Sequence, residues 1–87
     1  MTTEDTQTMH VKIYAPFKTY FDGNALSLTA VNQTGPFDIL PQHKNFMSLL
    51  QPCDIIVRIP EKPPFTLKVN RAVMHVKSDQ TTVFLDV

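Results

Sequence analysis

Apolar residues recur at every second position along most of this chain. In His10 to Ala15, Val11, Ile13 and Ala15 share one face and polar or larger side chains take the other. Side chains on an extended strand alternate between its two faces, so a period of two predicts strands with one buried face. The pattern returns in Asn24 to Asn32, where Leu26, Leu28 and Ala30 oppose Ser27 and Thr29. It continues in Ile55, Val57 and Ile59, in Phe65, Leu67 and Val69, in Ala72, Met74 and Val76, and in Val83, Leu85 and Val87. Turn formers separate the runs: Asp22-Gly23-Asn24, Thr34-Gly35-Pro36, Gln51-Pro52, Glu61-Lys62-Pro63-Pro64 and Lys77-Ser78-Asp79-Gln80. Short alternating strands divided by such turns predict an all-β fold, a small antiparallel β-sandwich or flattened barrel. Only Gln42 to Leu50 also fits a short helix, because Phe46, Leu49 and Leu50 fall at helical spacing after a proline.

Composition narrows the class. A chain of 87 residues makes one domain, near the lower size that folds without staples. With 43% hydrophobic residues it is too apolar for a disordered chain. The eight basic residues balance eight acidic ones and are dispersed. A phosphate-tracking surface needs basic side chains on one face, so nucleic acid is not an expected partner. Cys53, the single cysteine, cannot close an internal disulfide, which suits a reducing compartment. No apolar run reaches the roughly 18 residues of a membrane span, so no direct membrane insertion is expected. The polar, acidic stretch of residues 1–8 is unlike a secretory signal and reads as a flexible tail before a domain of residues 9–87.

Candidate chemistry is sparse. His10, His43 and His75 lie far apart and lack partners at ligand spacing, so no metal site is expected. Cys53 stands between Pro52 and Asp54 with no base held beside it, and reads as a small packed thiol. The aspartates fall mostly at turns, and none forms an acid-base pair. With two glycines there is no phosphate cradle. The expectation is a non-catalytic protein without cofactor or small-molecule substrate. Its aromatic residues, Tyr14, Phe17, Tyr20 and Phe21 near the start and Phe37 and Phe46 with Met47 further on, exceed the needs of a thin sandwich. An exposed subset would mark a protein interface.

The stretch Thr34 to Pro52 reads as a strand, a sharp reversal at Leu40-Pro41-Gln42-His43 that leaves the imidazole at the corner, and a second buried segment. It also carries a family resemblance. Gly35, Phe37, Ile39, Leu40, Pro41, His43, Phe46 and Met47 match a motif of the N-terminal β-sandwich domain of the F-type ATP synthase epsilon subunit (delta in mitochondria). Val11 to Pro16 and Tyr20 to Gly23 resemble its opening strand and the segment before its first hairpin. Leu50 to Ile59 and Val69 to Asp86 resemble later elements. The resemblance implies a sandwich of about ten short strands. It implies a non-catalytic central-stalk subunit that links gamma to the c-ring and couples ion translocation to ATP synthesis. Such a subunit sits peripherally on the cytoplasmic, matrix or stromal face of an energy-coupling membrane. Gln42, His43 and Phe46 would then face gamma, and Gln33, Thr34, Gly35, Pro36 and Phe37 would form a loop facing the c-ring.

Three departures from the family pattern stand out. Pro36 stands where many relatives carry a carboxylate, Gln42 replaces the glycine before the histidine, and Arg71 and Ala72 replace a glycine pair. The second reading they allow is a stand-alone interaction adaptor that keeps the sandwich without the synthase.

Overall fold

Each alternating run forms a strand whose apolar face is closed off from solvent. The computed structural model describes residues 7–85. Residues 1–6 of the expected tail, and Val87 of the last alternating run, lie outside the described residues. Nine strands follow one another: β1 (Met9–Ala15), β2 (Lys18–Ala25), β3 (Ser27–Asn32), β4 (Gly35–Ile39), β5 (Phe46–Leu50), β6 (Cys53–Arg58), β7 (Phe65–Val69), β8 (Ala72–Lys77) and β9 (Gln80–Leu85). The helical alternative for Gln42 to Leu50 is excluded, because β5 pairs with β8 from Phe46↔Val76 to Leu50↔Ala72.

The strands form one mixed sheet in the order β2-β1-β9-β8-β5-β3-β6-β7, with β4 added to β3. β5 and β3 meet only at Asn32↔Leu50. At that single bridge the sheet curls over, into a half-barrel whose two layers face each other. Val11, Ile13, Leu28, Ile39, Ile55, Val57, Met74 and Val83 fill the space between them, fully buried. Burying an aliphatic side chain of this size contributes about 1.5–3 kcal/mol, so this interior carries most of the stability. Phe21 of β2 and Phe65 of β7 close the far side, their ring centroids 5.2 Å apart.

The nine strands of the described residues fit the expected small all-β sandwich of about ten. Two details differ from the sequence expectation. The sheet is not wholly antiparallel: β1 runs parallel to β9, from His10↔Gln80 to Tyr14↔Phe84. Parallel neighbours need a long crossover, and here all of β2 to β8 serves as one. Lastly, Asp22-Gly23-Asn24 is not a turn. β2 runs straight through it, with Gly23 opposite Val11 and the Phe21 ring lying over the bare glycine. A glycine inside a strand marks such a close approach. The reversal falls instead at Pro16–Phe17.

The registers gather the connections at two ends. Pro16–Phe17, Gln33–Thr34, Gln51–Pro52 and Asn70–Arg71 lie at one end; the Leu40 to Asn45 corner, the loop after Arg58 and Ser78–Asp79 lie at the other.

Candidate docking surface

The corner between β4 and β5 is a proline turn. The His43 N–H donates to the Leu40 carbonyl at 3.2 Å. Proline at the second position and a positive φ of 67° at Gln42 define a type II turn, whose third position suits glycine. The Gln42 N–H donates to Asp79 Oδ1 at 2.5 Å, tying the corner to the β8–β9 turn. His43 Nδ1 lies 2.8 Å from the Lys44 carbonyl and donates to it as the Nδ1–H tautomer. Its ring meets Phe46 edge-on with centroids 5.6 Å apart, and Phe46 meets Phe37 in the same way at 5.7 Å. The structure therefore brings Gln42, His43 and Phe46 together. Phe46 is half-buried and packs against the core, His43 is half-buried beside it, and Gln42 is the exposed member.

The outer face of β5 adds residues that were not singled out from the sequence as exposed. Met47 and Leu49 are 67% and 69% exposed, because β5 turns Phe46, Ser48 and Leu50 the other way. Leu49 pairs with Val73, Val73 with Phe84, and Phe84 with Tyr14. The Tyr14 and Phe84 rings are in edge contact, 5.2 Å apart. This apolar row crosses β5, β8, β9 and β1 on the solvent side. The signal available in the sequence was two large apolar side chains at alternate positions of Phe46 to Leu50, opposite in phase to a second apolar set.

At the opposite end, the expected loop is shorter than the sequence implied. Only Gln33 and Thr34 form the turn; Gly35, Pro36 and Phe37 belong to β4. Asn32 Oδ1 accepts the Thr34 N–H at 2.9 Å and the Thr34 hydroxyl at 2.7 Å, which stiffens the tip. Gly35 takes φ 121°, a value side chains oppose. Pro36 is exposed on β4, which pairs with β3 alone, so its missing N–H breaks no ladder between two neighbours. Phe37 turns inward to Phe46 and supports the loop from beneath. Phe17, fully exposed at the tip of the β1–β2 turn, shares this end. An open groove of about 760 Å³ runs here between the β5–β6 and β7–β8 turns, lined by Leu49, Pro52, Asn70, Arg71 and Val73.

Among the described residues, no three His, Cys, Asp or Glu side chains converge as metal ligands. Cys53 is a half-buried free thiol at the start of β6. His10 Nε2 meets Asp22 Oδ1 at 2.5 Å across β1 and β2 on an exposed face. What the surface offers is shape and apolar area at two ends of a rigid sheet.

Comparisons with known proteins match this architecture. Residues 8–87 match the family model of the ATP synthase, Delta/Epsilon chain, beta-sandwich domain. The ATP synthase epsilon chain of a Nitratiruptor species is 28% identical over 79 residues, 91% of this chain and 61% of its own length. That of Vesicomyosocius okutanii subsp. Calyptogena okutanii is 27% identical over 79 residues, 91% of this chain and 56% of its own length. The chain thus spans about 56–61% of these relatives. In fold it is similar to a chain of the Euglena gracilis mitochondrial ATP synthase (OSCP/F1/c-ring), with a TM-score of 0.83 and 11% identity over 90% of this chain and 50% of that one. A chain of the Tetrahymena thermophila mitochondrial ATP synthase central stalk and c-ring gives a TM-score of 0.76 and 18% identity over 94% and 66%.

Proposed function

We propose that this chain, which belongs to the family of ATP synthase delta/epsilon β-sandwich domains, works as a non-catalytic rotor element of a rotary ATP synthase. Its task is to hold gamma against the c-ring, so that ion translocation is transmitted to ATP synthesis through rigid protein contacts. The observation that carries the reading is the exposed apolar row Leu49–Val73–Phe84, continued by half-buried Tyr14, with Met47 beside it and the His43 corner at the head of β5. Contiguous exposed apolar surface on a small folded chain marks a docking site. Gamma covers the corner at Gln42 and His43 and the outer face of β5, with Phe46 supporting them from inside. The c-ring meets the other end, where Gln33, Thr34 and Pro36 are presented by Gly35 and Phe37 and where Phe17 projects. Such a chain lies peripherally on the cytoplasmic, matrix or stromal face of the membrane.

Titration calorimetry against the gamma subunit of the same synthase tests this. The expected result is saturable binding that Leu49→Glu weakens at least about tenfold, equivalent to about 1.4 kcal/mol, with an unchanged thermal midpoint. Absence of binding by the unmutated chain would replace the rotor role with the adaptor reading, which the departures at Pro36 and Arg71 favour.

A further inference from the structure

A proline turn such as the one that carries His43 can take two forms, and a residue far away in the chain bonds to the form found here. Type I and type II turns differ by a flip of their central peptide, here the Pro41–Gln42 bond. Proline at the second position accepts either form. An ordinary side chain at the third position is at ease in type I, where φ is negative, and strained in type II, where φ is positive. Gln42 nevertheless stands at φ 67°. The flip turns its N–H away from the side it would face in type I, and in that direction lies the Asp79 carboxylate, accepting at 2.5 Å.

Asp79 is itself held in place. Ser78 and Asp79 have φ 50° and 61° between the paired residues Lys77 and Gln80, the form of a type I′ hairpin. The Asp79 backbone carbonyl accepts the His10 N–H at 2.9 Å. One residue thus joins the β4–β5 corner, the β8–β9 turn and the start of β1.

We propose that Asp79 is a positioning residue: its carboxylate holds the Pro41–Gln42 peptide in the type II form and thereby presents His43 to the docking partner. The inference rests on the docking role proposed above for its effect on binding, and on the turn geometry alone for its effect on the corner. Glutamine at position 42 makes the corner depend on Asp79, because glycine would hold the same form unaided.

Three variants of the full chain test this by nuclear Overhauser contacts at Pro41–Gln42 and by affinity for the gamma subunit. Asp79→Gly keeps the positive φ of the hairpin but removes the acceptor. It is expected to lose the short contact between Pro41 Hα and the Gln42 amide proton that marks type II, and to bind about tenfold more weakly. Asp79→Asn keeps an acceptor oxygen and tolerates the left-handed conformation, so it should match the wild type in both measurements. Adding Gln42→Gly to Asp79→Gly should restore both, since the corner then needs no outside support. A type II contact that persists in Asp79→Gly overturns the selection of the turn. A corner that flips while affinity stays constant overturns the positioning role. If the unmutated chain does not bind gamma, the docking role fails, while the contact series still decides whether Asp79 sets the turn.

Discussion

Gln42 and Asp79 show how a local penalty is carried by a distant partner. A left-handed conformation costs an L-residue roughly 1–2 kcal/mol, whereas a hydrogen bond to a charged group contributes about 1.5–3 kcal/mol. The bond from the Gln42 N–H to Asp79 therefore offsets the strain at φ 67°. Gln42→Gly removes the strain and keeps the bond, at the expense of glycine's larger loss of chain entropy. The predicted outcome is a gain of about 0.5–1 kcal/mol in denaturant unfolding; a loss of stability would show that the corner is not strained. The sequence marked Leu40-Pro41-Gln42-His43 as a sharp reversal but not its type, since a proline followed by a polar residue fits both forms. The partner that decides lies 37 positions away. His43 was legible as a corner residue for the same reason that its support was not: prolines act locally and Asp79 does not. At Ile59-Pro60-Glu61-Lys62 the same turn geometry recurs, with Glu61 at φ 58° and the Lys62 N–H 3.4 Å from the Ile59 carbonyl.

Among the strands, β3 joins the two layers. It pairs with β4 from Leu28 to Asn32, with β6 from Ser27 to Thr29, and touches β5 at Asn32. Leu28, at its centre, is fully buried. Leu28→Ala is predicted to cost about 2–5 kcal/mol, read from the urea midpoint; the range reflects how far the surrounding side chains collapse into the cavity. An unchanged midpoint would place Leu28 on the wrong side of the sheet. Most strands were legible because one face is wet and the other dry, as in Ala72, Met74 and Val76. Where both faces carry apolar side chains the signal fails. Phe46 and Leu50 face inward while Met47 and Leu49 face out, so β5 shows no alternation and also fits a short helix. Its extended form comes from pairing with β8, a contact that no local pattern displays. Asp22-Gly23-Asn24 misled in the opposite sense: its residue types suit a turn, but pairing with β1 keeps the segment extended under the Phe21 ring.

At the scale of the whole molecule, the His43 corner and the Gln33–Thr34 turn lie at opposite ends of β4, whose five residues span about 17 Å at the strand rise. The surface between them offers no glycine-rich cradle, so calorimetric titration with ATP is predicted to give no binding at micromolar concentration, about −8 kcal/mol; a tighter constant would reveal a nucleotide site that the geometry does not suggest. Separation also fixes how mutations combine. Sites more than about 7–10 Å apart with no shared partner act additively. Phe17, fully exposed at its turn, can become Ser at little cost to folding, since substitutions far from packed groups stay within about 0.5 kcal/mol. His43→Glu places a charge at the corner without emptying the core, unlike Phe46→Ala, which removes a ring packed on Phe37. With isolated gamma, His43→Glu is predicted to weaken binding and Phe17→Ser to leave it unchanged. With a gamma–c-ring subcomplex both should weaken it, and the double variant should show the sum of the two free-energy losses. Weaker binding of Phe17→Ser to gamma alone would merge the two surfaces into one. A double variant no weaker than His43→Glu would remove the Phe17 end from the contact with the ring.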